Sequence, residues 1–572
     1  MDSAVPADAD RQFAALAADY LDDRAQRHPE SATGIGDHRF DARLGDGSAA
    51  ALADERQALE RYAARLAALD GGALAPEHRV DAAMLGGAVD LRRFELDELR
   101  EHTWNPLLAN PGRAVYQLLA RDFAPLPDRL AGVAGRLAAI PARLAAARAQ
   151  LGAMPRVHLE TAISQLGGTM AMIGSAIDEA LAAAPGAAAQ IGRVRPAALA
   201  ALAGHQAWLS GRLAQSAADG SFAEPRLGAE RYARKLSLTL AAAADADAIL
   251  ARAQADLDQV SEQIAELAAR LAGPAATAGP RGARAAAAAA GAGDPLVGQV
   301  LGRLGADAAD DATILPFCRQ ALVTATAFAR DAGLVTLYAD PVEVIEMPEL
   351  DRGVAVAYCD APGPLEPPSM PTFLAVSPTP AGWPAERVAS FYREYNQHMA
   401  HNLIIHEAMP GHYLQLQHSR RFTGSATAVR AALRSGSFVE GWAVYAERLM
   451  AEHEYPGGGD PRAVRMQQLK MQLRTIINAI LDARVHGHGM TQAQAMALMT
   501  GRGYQEEGEA AGKWRRVLLT SAQLSTYYVG YTEVSDLAAD LAAAGAGERA
   551  RHDRMLGHGS PPVALLRTLL AG

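Results

Sequence analysis

The stretch "IIHEAMPGHYLQLQH", residues 404–418, sets His406, Glu407 and His412 in one largely apolar run. Two imidazoles and a carboxylate are the groups that bind a catalytic metal and move a proton beside it. The familiar zinc-protease signature, His-Glu-x-x-His, places its histidines one helical turn apart. Here the second histidine follows six residues after the first, with Pro410-Gly411 between them. In an unbroken helix six residues turn about 600° and rise about 9 Å, leaving the imidazoles about 120° apart and unable to share one ion. Proline removes a backbone donor and clashes with the preceding turn, while glycine opens dihedrals closed to other residues. The pair is therefore expected to act as a two-residue insertion that returns His412 to the side of His406. The competing reading is a satisfied polar pair on a buried helix. A helix breaker costing roughly 3 kcal/mol with no evident packing gain raises the metal reading to equal standing and leaves both open.

A catalytic zinc takes three protein ligands and keeps one position open, so a third ligand is expected from another helix. In "SFVEGWAVYAERLMAEHE", Glu440 and Glu447 lie seven residues apart, about two turns, on one face. Carboxylates among Val439, Trp442, Val444 and Tyr445 are costly unless paired or metal-bound; the alternative is a helix with both on its wet side. Tyr527, Tyr528 and Tyr531 of "SAQLSTYYVGY" are either core residues or donors to a developing oxyanion. Asp482 and His486, four apart, share a helical face as a structural pair or as part of a site. Tyr358, closing "VAVAY", and His401, five before His406, are further candidates, whereas His398 and His418 read as ordinary helix residues.

The elements that must position these groups are mostly helices. Half of the 572 residues are hydrophobic but only 5% aromatic, because alanine dominates, and alanine interspersed with Leu, Arg, Asp and Glu favours helix. The first ~235 residues read as successive amphipathic helices punctuated by Pro and Gly, with no fixed repeat. Residues 271–295, "LAGPAATAGPRGARAAAAAAGAGDP", form a low-complexity connection, with room for a short helix. After residue 333, "LVTLYADPVEVIEMP", "GVAVAYCDAP" and "PTFLAVSP" read as strands of a small antiparallel β element, and helical texture then resumes to the end. The expected organisation is an N-terminal helical lobe over 1–270, the 271–295 connection, and the sheet with a catalytic helical lobe over 296–572. A strand edge just before the histidine motif could pair with a peptide.

Charge and cysteine usage exclude other classes. A formal net charge of -10 argues against nucleic-acid partners, which call for a basic stripe. Cys318 and Cys359 offer no bridge framework or Cys-x-x-Cys spacing, which points to a reduced, cytoplasmic setting. The acidic N-terminal stretch "MDSAVPADAD" lacks the basic start and apolar run of a signal peptide, and no uncharged apolar stretch reaches membrane-spanning length.

"HEAMPGHYLQ", "VEGWAVYAERL", "HPESATGIGDHRFDARLGDGS" and "QLSTYYVGY", in their order along nearly the whole chain, resemble the bacterial family catalogued as domain of unknown function 885. That family is similar to the helical gluzincin metallopeptidases. The resemblance implies a mainly α, two-lobed helical ellipsoid around a deep central cleft. It makes His406, His412 and Glu440 the ligands of one Zn2+ ion and Glu407 the general base. It aligns Glu447 with a second recurring acid, which could orient a ligand imidazole, Tyr527 with a recurring tyrosine, and His486 with a recurring histidine. The family's Pro-Gly before the glutamine of the last motif is Ser521-Ala522 here. The expected activity is zinc-dependent hydrolysis of amide bonds in short peptides. Acyl chemistry on a peptide-like metabolite, or a metal-free helical binding module, are the alternatives, and the oligomeric state is left open.

Overall fold

Alanine and leucine at helical spacing fold this chain as expected: the protein is mainly α, with a small sheet. A computed structural model describes residues 8–241, 244–273, 293–348, 357–380 and 382–570. The alanine-rich connection placed at 271–295 lies mostly outside the described residues; the Ala246–Ala272 helix ends at Gly273.

The chain divides into two compact units. The first comprises Met1–Pro225, Pro362–Met370 and Thr423–Leu433. Its helices Leu126–Gln150, Arg156–Ala183 and Ala188–Asp219 pack together around Leu130, Leu137, Ile140, Leu159, Ile173 and Leu202, each 2% exposed or less. Leu126–Gln150 is long and apolar enough, by length and composition, to cross a membrane. One of its faces lies in this core, and its buried Arg136 donates to the backbone carbonyl of Ala114 and to Thr33 Oγ1. Two later segments belong to the unit because their polar groups are spent there. Arg430 Nε donates to the buried Asp81 at 2.6 Å, and Leu365 N donates to Ile35 O at 2.9 Å.

The second unit comprises Arg226–Ala361, Pro371–Phe422 and Arg434–Gly572. Its first boundary falls at 225–226 rather than 270, because Ala246–Ala272 packs along the 28-residue helix Pro461–His488 of this unit. The strands are β1 (Val342–Glu346), β2 (Ala357–Asp360) and β3 (Thr372–Val376), in the order β1-β3-β2. The sheet is mixed, not antiparallel: β3 pairs in parallel with β1 and antiparallel with β2. The apolar "TFLAV" takes the buried centre, and the charge-bearing "VEVIE" and "AYCD" take the edges, where unpaired backbone groups need polar company.

Candidate metal centre

The helix carrying the first histidine runs Gln397–Glu407, started by Asn396, whose side chain accepts from Met399 N. It stops at Ala408, and a new helix, His412–Arg420, starts at the second histidine. The Pro-Gly pair thus breaks the helix outright. The turn is closed by Gly411 N donating to Ile405 O at 3.0 Å and Leu414 N to Ala408 O at 3.3 Å. Gly411 sits against the end of the first helix so closely that a Cβ there would stand 1.9 Å from His406 O. The result is the return inferred from the spacing: the His406 and His412 rings lie 4.7 Å apart, edge to face.

Gly436–Glu452 brings the carboxylates. Its Trp442 Nε1 donates to Pro410 O at 2.8 Å, fastening the helix to the turn. It crosses Ser525–Ala543 backbone to backbone, where a Cβ on Gly441 would lie 2.2 Å from the Gly530 carbonyl carbon and one on Gly530 1.9 Å from Ser437 O. Glu440 Oε2 stands 3.5 Å from His406 Nε2 and 3.4 Å from His412 Nε2, and ligand atoms of the three residues all lie within 4.8 Å of one another. Glu447, two turns on, accepts from His406 Nδ1 at 2.7 Å and from Asn402 Nδ2 at 2.7 Å. A carboxylate on Nδ1 fixes the tautomer and aims the Nε2 lone pair at the cluster. Glu407 lines the same cavity, and its Oε2 accepts from Cys359 N of the edge strand β2 at 2.9 Å.

The electrostatics follow from burial. Burial opposes the imidazolium of His406, yet the carboxylates of Glu440, which faces it, and Glu447, which is hydrogen-bonded to it, hold it well above the ordinary histidine range. Burial likewise opposes the Glu440 anion, and the facing imidazoles of His406 and His412 hold its carboxyl well below the usual range. Glu407 is pushed up, chiefly by burial. Two imidazole nitrogens and a carboxylate oxygen thus face one point, where a proton or a metal ion can sit.

The cavity, about 790 Å³, is also lined by Tyr527 and Tyr358. Tyr527 OH accepts from Arg516 Nη2 at 3.1 Å and Gln523 Nε2 at 3.4 Å. Its acidity is lowered by burial and by the nearby Glu440.

Four other candidates are employed elsewhere. His486 does not reach the cluster: its Nε2 faces Val517 O at 2.8 Å and Thr520 O at 2.9 Å, and its ring stacks on Tyr232. Asp482 accepts from Ala522 N, Ser525 N and Ser525 Oγ at 2.8–3.1 Å, so this carboxylate ties down the start of the Ser525–Ala543 helix. Tyr531 OH is held by Arg448 Nη1 and Gln472 Nε2, and His401 Nδ1 by Tyr455 OH at 3.0 Å. None of the four lines the cavity. Sequence reasoning passed over Asn402, Arg516 and the backbone of Cys359. Asn402 alone left a signal, a polar residue one helical turn before His406 in an apolar run.

The bacterial family of unknown function DUF885 matches the chain over residues 29–570. The chain belongs to that family. It also resembles, over 98% of its own length and 100% of the other chain, a Shewanella oneidensis protein described as a "putative lipoprotein of unknown function", at 29% identity and a TM-score of 0.80. A "putative lipoprotein" from Colwellia psychrerythraea shares the fold at 16% identity and a TM-score of 0.75, with 99% of each chain covered. No curated protein matches the chain.

Proposed function

We propose that this DUF885 protein is a metal-dependent hydrolase of amide bonds, a metallopeptidase for short peptides with one zinc ion held by His406, His412 and Glu440. The convergence of two imidazole Nε2 atoms and one carboxylate, all within 4.8 Å, beside the carboxylate of Glu407 carries the reading. Two histidines and a glutamate are a donor set that suits zinc. Glu440 Oε2 is buried at 3.4–3.5 Å from its neighbours, too far for a good hydrogen bond, and a cation among the three residues satisfies it.

Zinc supplies Lewis acidity, polarising a carbonyl and making water acidic near neutral pH. The remaining work falls to the chain. Glu407, steadied by the Cys359 N–H, takes a proton from water and returns it to the leaving amine. Its raised affinity for a proton suits a group that must hold one between those steps. Tyr527 receives two hydrogen bonds at its oxygen and keeps its own proton for the oxyanion that forms from the substrate carbonyl. A cavity of about 790 Å³ suits a ligand of a few residues.

Chelator-stripped and zinc-restored protein, analysed for bound metal and challenged with a short-peptide library, tests the reading. Stoichiometric zinc and zinc-dependent appearance of new amino termini are expected. Neither metal nor hydrolysis would leave a binding module, and turnover confined to peptide-like metabolites would move the reaction to other acyl chemistry. A cytoplasmic setting belongs to the same proposal. It rests on Cys318 and Cys359, which form no disulfide, against the lipoprotein descriptions of the two solved relatives named above, and fractionation of the native host decides it.

A further inference from the structure

Lys513 lines the cavity and plays no part in the chemistry above. It is 4% exposed, and its ammonium has no hydrogen bond or ion pair among the described residues. The two acids whose charge it feels each pair with another cation: Glu509 with Arg474, and Glu394 Oε2 with Lys470 at 2.8 Å. Lys513 and Arg516 are three apart on the Glu507–Leu519 helix and so share a face. Arg516 is likewise in no ion pair among the described residues; it donates to two neutral oxygens, of Gln523 and Tyr527. An ammonium at this depth is costly without a counter-charge, and an anion bound beside it restores the charge that burial opposes. Burial first, and then the guanidiniums of Arg474 and Arg516, pull Lys513 well below the ordinary lysine range.

The position of this pair says what the anion is attached to. Arg516 is one hydrogen bond, 3.1 Å, from Tyr527, the group placed above on the oxyanion, and Tyr527 in turn feels the charge of Glu440. We infer that Lys513 and Arg516 form a subsite for a substrate carboxylate next to the cleaved bond, which selects short peptides through a free C-terminus or an adjacent acidic side chain. The inference rests on the hydrolase reading for the word substrate, but the subsite can be tested without turnover. Lys513 and Arg516 supply a point charge and a planar fork of donors, and a carboxylate accepts from both kinds.

The probe is N-acetyl-alanyl-alanine, compared with its C-terminal amide and with the amide carrying aspartate in place of the second alanine. Binding is measured by calorimetry on metal-free and on zinc-restored full-length protein, wild type and Lys513→Met. The wild type should bind the free acid about 10- to 100-fold more tightly than the plain amide in both metal states, the range for a hydrogen bond to a charged group. Lys513→Met should abolish that preference, leave the plain amide unchanged, and keep or raise the melting temperature, because it replaces a buried amine that has no hydrogen bond or ion pair among the described residues with an apolar chain of similar length. Preference for the free acid assigns a C-terminal carboxylate; recovery of affinity in the aspartyl amide assigns a side chain. Equal binding of all three probes to the wild type, an undiminished preference in Lys513→Met, or a melting temperature that falls by several degrees would overturn the subsite. Carboxylate preference without zinc-dependent hydrolysis of any peptide would sink the hydrolase reading and keep the subsite. Hydrolysis with equal kcat/KM for acid and amide would do the reverse.

Discussion

Gly411→Ala probes the turn that makes the site. A Cβ at this position would stand 1.9 Å from His406 O and 2.4 Å from Ile405 O, both carbonyls at the end of a helix and neither on a flexible side chain. Ordinary contact needs about 3.4 Å, so the turn must open by about 1.5 Å to admit one methyl group. Metal sites tolerate ligand displacements of only about 0.2 Å. His412 follows Gly411 directly and must move with it, and the bond from Gly411 N to Ile405 O at 3.0 Å is lost as the turn opens. The expected loss in zinc affinity is more than about 100-fold, beyond the roughly 10- to 100-fold that losing an outer hydrogen-bond partner costs. Competitive titration against a chelator measures it, with circular dichroism to show that the variant is folded. Gly298→Ala, on a helix with nothing within 4 Å of the new methyl, is the control and should bind zinc as the wild type does. A folded Gly411→Ala protein with wild-type zinc affinity would refute the claim that this turn sets the place of His412.

Glu407→Gln should retain zinc and lose about 10²- to 10⁴-fold in turnover, measured with metal content on one preparation; undiminished activity would remove Glu407 as the base. Glu440→Ala should abolish stoichiometric zinc, whereas Glu447→Ala should weaken it only about 10- to 100-fold, and the reverse order would exchange their roles. Ala522 sits in the left-handed region at φ 63°, so Ala522→Gly should raise the melting temperature, by up to about 1 kcal/mol in stability; a drop would show that the Ala522 methyl outweighs the strain. His38 is partly buried, which opposes its charge, but hydrogen bonds to Asp41 and Glu366 hold it up at about 9. Its contribution, on the order of 1–3 kcal/mol, is full below about pH 6.5 and is lost as pH rises through 9. The melting-temperature gap between wild type and His38→Gln should therefore close between pH 6.5 and 9.5, and a constant gap would contradict it.

What the sequence made legible was local. Pro410-Gly411 announced a break because proline and glycine act on the backbone where they stand, and seven-residue spacing put Glu440 and Glu447 on one face because a helix repeats that way. The partners of those faces were less legible. Asp482 and His486 have the spacing of a pair, yet each turned to the segment around 517–525, and their Oδ1–Nε2 separation is 3.9 Å. Nothing in a helical repeat says that another segment will present bare backbone groups to that face. The departure at Ser521-Ala522 was the clue: Ala522 takes the left-handed conformation that a glycine would take freely, and its N–H is one that Asp482 accepts. Strand order was illegible for a similar reason. The strand that inserts between two others is the one apolar on both faces, and "TFLAV" shows that quality only beside its rivals.

The candidate centre depends on one helix to a degree that its ligand set conceals. Gly436–Glu452 supplies Glu440 as the candidate ligand, Glu447 to accept from His406, and Trp442 to hold the turn before His412, on three successive parts of its surface. All three engage the "HEAMPGH" segment, so sliding this helix by a fraction of a turn would disturb both histidines and the acid together. The slide is prevented on the far side, where Gly441 and Gly530 let two backbones meet with no side chain between them. Such a contact has a single register, since any side chain at either position would hold the helices apart. The same crossing carries Tyr527, one turn before Gly530, to the cavity wall beside Glu440. Two glycines thereby set the distance between the His406, His412 and Glu440 cluster and Tyr527, and any side chain at either position would change it.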